Sequence, residues 1–272
     1  MTKRTAVDLG ALVLAACVLA MNLNVVGNAA QWVRDWHYRR LLFAELRPVR
    51  LANCTMERFG NGNDGGYLMC ENLLTGVATA YSYGIEGRDE WGCAIAQQFD
   101  LPVHQYDCFV TTRPRCPSGT FVFHEECVGD TRVDSEHRVF DSLPNQIARN
   151  GDLERRLVVK MDVEGAEWTT LAETPEAVLA QIDQLVVEFH GAGQAHYVET
   201  LARLKRTFVV AHVHFNNVAC DAGAAPFPSR VYEVLFVNRI RAKVDHERTS
   251  PPQPNPRDSP NNAKLPDCQV SW

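Results

Sequence analysis

The chain has 272 residues, of which 46% are hydrophobic, and a formal charge of -6 at neutral pH. That is enough apolar material for one ordinary domain with extra segments, or at most two small domains. An acidic chain whose Lys and Arg form no block excludes a nucleic-acid surface, because phosphate binding needs a basic face.

Lys3 and Arg4 precede an apolar run over 9–23, broken only by Asn22 and followed by Val25, Val26 and Gly27. This order predicts a signal peptide or signal anchor over 1–30. The small residues Gly27 and Ala29 suit cleavage, whereas a run carried on to Ala30 is about twenty residues and just spans a bilayer. The protein is thus expected to be secreted or held at a membrane by a single N-terminal pass. Residues 31–47 mix Trp32, Trp36, Tyr38, Leu42 and Phe43 with arginines and predict a stalk helix.

The body, 48–245, begins with the turn Asn63-Asp64-Gly65-Gly66-Tyr67, read equally as a hairpin turn or as part of a site. Strands are expected over 78–83, 103–106, 120–123, 157–161, 185–189, 207–213 and 231–237. Helices are expected over 90–99, 141–149, 166–173, 176–182 and 194–205. The first five strands are separated by connections long enough for parallel pairing. Only a loop joins the last two, which should therefore pair antiparallel. The expected fold is α/β, a doubly wound, Rossmann-like and mostly parallel seven-stranded sheet ending in an antiparallel hairpin. Beyond it, 246–272 holds six of the chain's fourteen prolines among Ser, Asn and Asp, a composition that predicts a disordered tail.

Chemistry concentrates at three strand ends. The first strand stops at Gly84 and turns through Glu86 and Gly87 into a helix, where glycine lets backbone approach a ligand and the helix start offers free N–H groups. Asp107 ends the second strand, at the place where an acid binds ribose hydroxyls in nucleotide-binding sheets. The fourth strand runs into Asp162, Glu164, Gly165 and Glu167 at its carboxyl edge, with a helix N-cap as the alternative role for Asp162 or Glu164. His190 follows the fifth strand, sharing a face with Glu188, and His212 and His214 share another.

Cys17 aside, Cys54, Cys70, Cys93, Cys108, Cys116, Cys127, Cys220 and Cys268 make an even set. Behind a secretory start, this set predicts disulfides, with buried free thiols as the alternative. Short separation favours Cys54–Cys70 and Cys108–Cys116. No C-x-x-C spacing occurs, so no structural zinc site is expected.

The stretches NGNDGGYLMCE (61–71), AYSYGIEGRDEWGC (80–93), PVHQYDCF (102–109), FHEECVG (123–129) and VKMDVEGAEW (159–168) together resemble the FkbM-type, methyltransferase-like group of class I S-adenosylmethionine-dependent methyltransferases. The resemblance runs from about Phe59 to Asn238. It implies adenosylmethionine as cofactor, held at Gly84, Glu86 and Gly87, with Asp107 on the ribose and Asp162 beside the methyl acceptor. It favours an oxygen acceptor, small or glycan-like. Two departures are Ser82, where the group has an acid, and a G-x-x-G in place of G-x-G.

Aromatic faces at Tyr83 or Trp91 are candidates to steady the sulfonium. Asp162, Glu164 and His190 are the candidate catalytic residues. His190 acting as a direct base is preferred over a divalent metal bound by the cluster. A catalytically inactive binding module on the same fold is the competing function. A nucleotide-dependent dehydrogenase is excluded by the missing G-x-G-x-x-G.

Overall fold

The computed structural model describes residues 28–246 and 254–270. All but the last three positions of the expected signal segment therefore lie outside the described residues. Among the described residues, no helix is long and apolar enough to cross a membrane.

Helix α1 covers 28–45. Its first turns expose Trp32 and Val33, but Leu42, Phe43 and Leu46 are buried in the main core. Lys205 also donates to Glu45 at 2.5 Å. The expected stalk is thus free at its start and part of the domain at its end.

Strands β1 (Met56–Gly60) and β2 (Gly66–Cys70) form a hairpin in register from Met56↔Cys70 to Gly60↔Gly66. Then come β3 (Thr79–Tyr83), α2 (Glu90–Phe99), β4 (Pro102–Tyr106) and β5 (Thr120–His124). A three-stranded sheet of β6 (Cys127–Val128), β7 (Arg132–Val133) and β8 (Val139–Asp141) precedes α3 (Leu143–Arg149). The chain continues through β9 (Leu157–Met161), α4 (Glu167–Glu173), α5 (Glu176–Leu179) and β10 (Ile182–His190). It closes with α6 (Ala195–Thr207), β11 (Phe208–Phe215) and β12 (Val231–Asn238).

The seven expected strands make one sheet in the order β11-β12-β10-β9-β3-β4-β5. Pairing is parallel from β10 to β5, and β12 runs antiparallel between β10 and β11. No helical crossover separates β11 from β12, so the chain can only return in the opposite direction. Side chains alternate between two cores, as a period of two requires. Leu157, Val159 and Met161 join the core that also buries α1, α4 and α6 residues, whereas Val158 joins the one under α2 and the hairpin. With both faces covered, β9 reads as a nearly unbroken apolar run, LVVKM, and β10 carries the apolar stretch Leu185 to Val187 at its centre. From β3 the chain crosses to β4 on one side, while β9 lies on the other. The crevice outside the carboxyl ends of β3 and β9 is therefore the topological switch point of the sheet.

All eight described cysteines are paired, as Cys54–Cys70, Cys93–Cys116, Cys108–Cys127 and Cys220–Cys268. The first matches expectation. Cys108–Cys116 does not form, because the segment after β4 carries Cys116 back over Cys93 on α2 and leaves Cys108 beside Cys127. Closeness in sequence was a poor guide to closeness in space.

The disordered tail expected over 246–272 does not describe residues 254–270, which form a strap across the β11–β12 side of the sheet. The strap is tied by Cys220–Cys268. Asp258 lies 2.8 Å from His212, and Asn217 donates to the carbonyls of Asn262 and Leu265. Covalent and polar ties hold it, and an argument from apolar content does not register those.

Candidate functional site

A cavity of about 680 Å³ opens at the switch point, between the carboxyl ends of β3, β9 and β10. One wall is the loop after β3. Gly84 has φ +69°, and a Cβ there would sit 1.5 Å from the Asp162 carbonyl oxygen, so only glycine lets these two loops touch. The next two amides, of Ile85 and Glu86, donate to Asp107 Oδ2 at 3.2 and 2.9 Å. Asp107 Oδ1 accepts from Phe109 and Val110 N–H, both at 2.9 Å.

Gly84 and Glu86 line the cavity. Tyr83, Gly87 and Asp107 stand behind its wall. Tyr83 is wholly buried, stacked on Tyr106 at 4.9 Å, and burial raises its pKa well above the ordinary value. Gly87 backs onto Val110 and Thr112.

Trp91 reaches the cavity from α2, its indole N–H donating to Met69 Sδ. At the start of that helix, Asp89 accepts from Gly92 N–H, Ser82 Oγ and Gln105 Nε2. A buried carboxylate thus stands against the Ser82 hydroxyl, where the strand itself supplies no acid. Burial raises the Asp89 pKa despite these hydrogen bonds.

The opposite wall is the loop after β9. Lys160 donates to the carbonyls of Tyr83 and Gly84, at 3.1 and 2.7 Å, and so binds the two loops together. Glu167, at the first turn of α4, is fully buried and accepts from Val163 and Gly165 N–H. Between them Glu164 adopts φ +55°, and Glu86 across the cavity adopts φ +46°. Such left-handed non-glycine residues cost about 1–3 kcal/mol each and persist where their surroundings fix them.

Glu167 also faces His190 Nδ1 at 3.1 Å, and on the other side of the ring Nε2 lies 3.3 Å from Glu164 and 3.8 Å from Glu188. Burial of the ring opposes its charging, but Glu167, Glu164 and Asp162 outweigh that and hold the His190 pKa above its ordinary value. Asp162 accepts from the Tyr67 hydroxyl at 3.1 Å and lies 3.6 Å from Lys160 Nζ. Enclosure by the cavity walls raises its pKa nonetheless. The Glu188 carboxyl is raised further, first by burial, then by the charges of Asp162, Glu233 and Asp64.

The third wall joins the β1–β2 turn to the strap. Asn261 donates to Asp64 at 3.0 Å and to Glu233 at 2.9 Å. The turn over 61–65 is therefore both a hairpin connection and part of the site.

The candidate catalytic residues Asp162, Glu164 and His190 do converge, with Glu188 beside them. His212 and His214 face the strap instead, pairing with Asp258, Glu233 and Asp267. Sequence reasoning held Tyr67 only as part of a turn that could belong to a site, and missed the orienting role of Glu167 and the part played by Asn261. An acid three residues after Glu164, at a helix start, was a usable signal for Glu167. Nothing in a proline-rich tail signals Asn261. No protein-family model matches this chain, and no curated protein matches it.

Proposed function

We propose that this chain is an S-adenosylmethionine-dependent methyltransferase of Rossmann-like class I architecture, acting on an oxygen acceptor. The observation that carries the reading is the strand order β11-β12-β10-β9-β3-β4-β5 with a large cavity at its switch point. Ligands of open α/β sheets bind there, and a volume of about 680 Å³ is in the range of small-molecule sites. Three of the five FkbM-type stretches, 61–71, 80–93 and 159–168, contribute residues to the wall of this cavity, and that coincidence supports the family assignment.

The residues present fit the cofactor. Gly84 lets the loop after β3 close against the Asp162 carbonyl at the cavity edge, and the two amides that follow are fixed by Asp107. Asp107 shapes the receiving loop, Asp89 caps α2 behind it, and Glu86 offers a carboxylate to hydroxyl or amino groups. When bound, adenosylmethionine supplies an electrophilic methyl group for in-line displacement. Across the cavity, Lys160 and Asp162 fix the wall, and Glu167 sets the His190 ring so that Nε2 faces the space beside Asp162 and Glu188. That places proton-accepting groups where an acceptor hydroxyl must lose its proton.

Four disulfides are at home in an oxidising compartment. Together with the basic and apolar N-terminus, they support a secreted or membrane-anchored protein.

Calorimetric titration of the purified full-length chain with adenosylmethionine tests the reading, with one saturable site expected. No saturable heat removes it. Binding without methyl transfer to any hydroxylated acceptor would leave only the inactive binding module.

A further inference from the structure

Four carboxylates approach one another at the acceptor side of the cavity, and three of them have partners. Asp64 and Glu233 share the Asn261 amide, and Asp162 holds the Tyr67 hydroxyl. Glu188 is only 7% exposed and lines the cavity. Among the described residues it accepts no hydrogen bond, its nearest counter-group being His190 Nε2 at 3.8 Å. A buried carboxylate left without partners is costly, and it either takes up a proton or is matched by a cation.

Two further observations say where that cation sits. One ligand atom from each of Asp162, Glu188 and His190 falls within 4.8 Å of the others. A single ion with bonds of about 2.0–2.4 Å to nitrogen and oxygen can span that spacing. The imidazole is also prepared for the role. Buried Glu167 faces Nδ1 at 3.1 Å, so in the neutral ring Nδ1 carries the proton and Nε2 is left as the ligating atom, on the side of Glu164, Glu188 and Asp162. A carboxylate behind a histidine in this way is the common support of a metal-ligating imidazole.

We infer that Asp162, Glu188 and His190 bind one divalent first-row cation, whose open positions receive the acceptor's hydroxyl. Two carboxylates and one imidazole suit ions that accept both oxygen and nitrogen, Mn²⁺ among them. The cation draws an oxygen acceptor to the cavity and lowers the pKa of its hydroxyl. That role rests on the methyl-transfer reading, whereas the binding of the ion does not.

Mn²⁺ alone is the probe, added to the EDTA-treated, purified full-length chain and followed by electron paramagnetic resonance. One saturable Mn²⁺ per chain is expected, with the pulsed spectrum showing a directly bound nitrogen. Glu188→Gln and His190→Gln should each weaken binding by about 10–100-fold or more, and His190→Gln should also erase the nitrogen signal. Circular dichroism and thiol counts on each variant confirm that it is folded with its four disulfides. Absence of a saturable site, equal affinity in wild type and variants, or a wild-type spectrum without bound nitrogen overturns the assignment. Adenosylmethionine calorimetry on the same EDTA-treated sample separates the two readings. Cofactor heat without an Mn²⁺ site overturns the cation alone. An Mn²⁺ site without cofactor heat keeps the cation and overturns methyl transfer.

Discussion

Asp107 and Glu188 lie at the same edge of the same sheet, 6% and 7% exposed, and their surroundings differ completely. Asp107 accepts four backbone N–H groups, two from the loop after β3 and two from its own loop. Glu188 faces other carboxylates across open space. The difference extends to the two flanks they belong to. The β4 flank is closed by nearby chain, with Cys108–Cys127 alongside. The β10–β12–β11 flank is closed by the strap over 254–270, far away in sequence and held by Cys220–Cys268 and by charge. One flank spends its polar groups on building a loop, and the other keeps them for something that enters.

The largest expected effect is on the strap. Replacing Cys220 and Cys268 by Ser together removes a link across 48 residues. On the chain-entropy view this costs about 4 kcal/mol, read from the denaturant midpoint. Limited proteolysis should then cut first within 254–270. A variant as stable and as resistant as wild type would show that polar contacts alone hold this flank.

Next comes a pH effect on the same flank. His214, on β11, faces Glu233 on β12 and Asp258 and Asp267 on the strap. These raise its pKa to about 9 although burial opposes it. A pKa raised in the folded state means stability that is fully present below the ordinary histidine value of about 6.5. That stability is lost as pH rises through about 9. It amounts to something on the order of 3 kcal/mol. Unfolding midpoints measured across that window should fall in wild type and stay flatter in His214→Gln. Parallel profiles would remove His214 from the account.

On the other flank, Asp107→Ala should destabilise the fold by about 2–3 kcal/mol, because buried amides lose their acceptor. It should also weaken adenosylmethionine binding by loosening the loop at 84–86. Unchanged stability would mean that the amides find water, and the contrast with Glu188 would lose its basis.

Glu188→Gln should have the smallest effect, within about 1 kcal/mol of wild type or slightly stabilising, since a buried carboxyl without partners is removed. A large loss of stability on chemical denaturation would assign Glu188 to the framework.

The amino-acid sequence by itself determined the seven strands, the crossovers, the glycine loop after β3, and the carboxylates at strand ends. Each is written in local periodicity or in a turn that only certain residues allow. Because Gly84 and the stretch from Asp162 to Glu167 follow directly on apolar strands, their place at the sheet edge was legible. The tertiary structure alone decided which of these residues face the cavity. Asp107 sits where an acid was expected, yet it serves backbone amides, because the two loops beside it present their N–H groups inward. Tyr67, Glu188 and Asn261 meet from segments more than 70 residues apart, and no spacing rule links them. The strap was beyond composition for the same reason: its order comes from a disulfide and from charges on strands β11 and β12, not from apolar surface of its own.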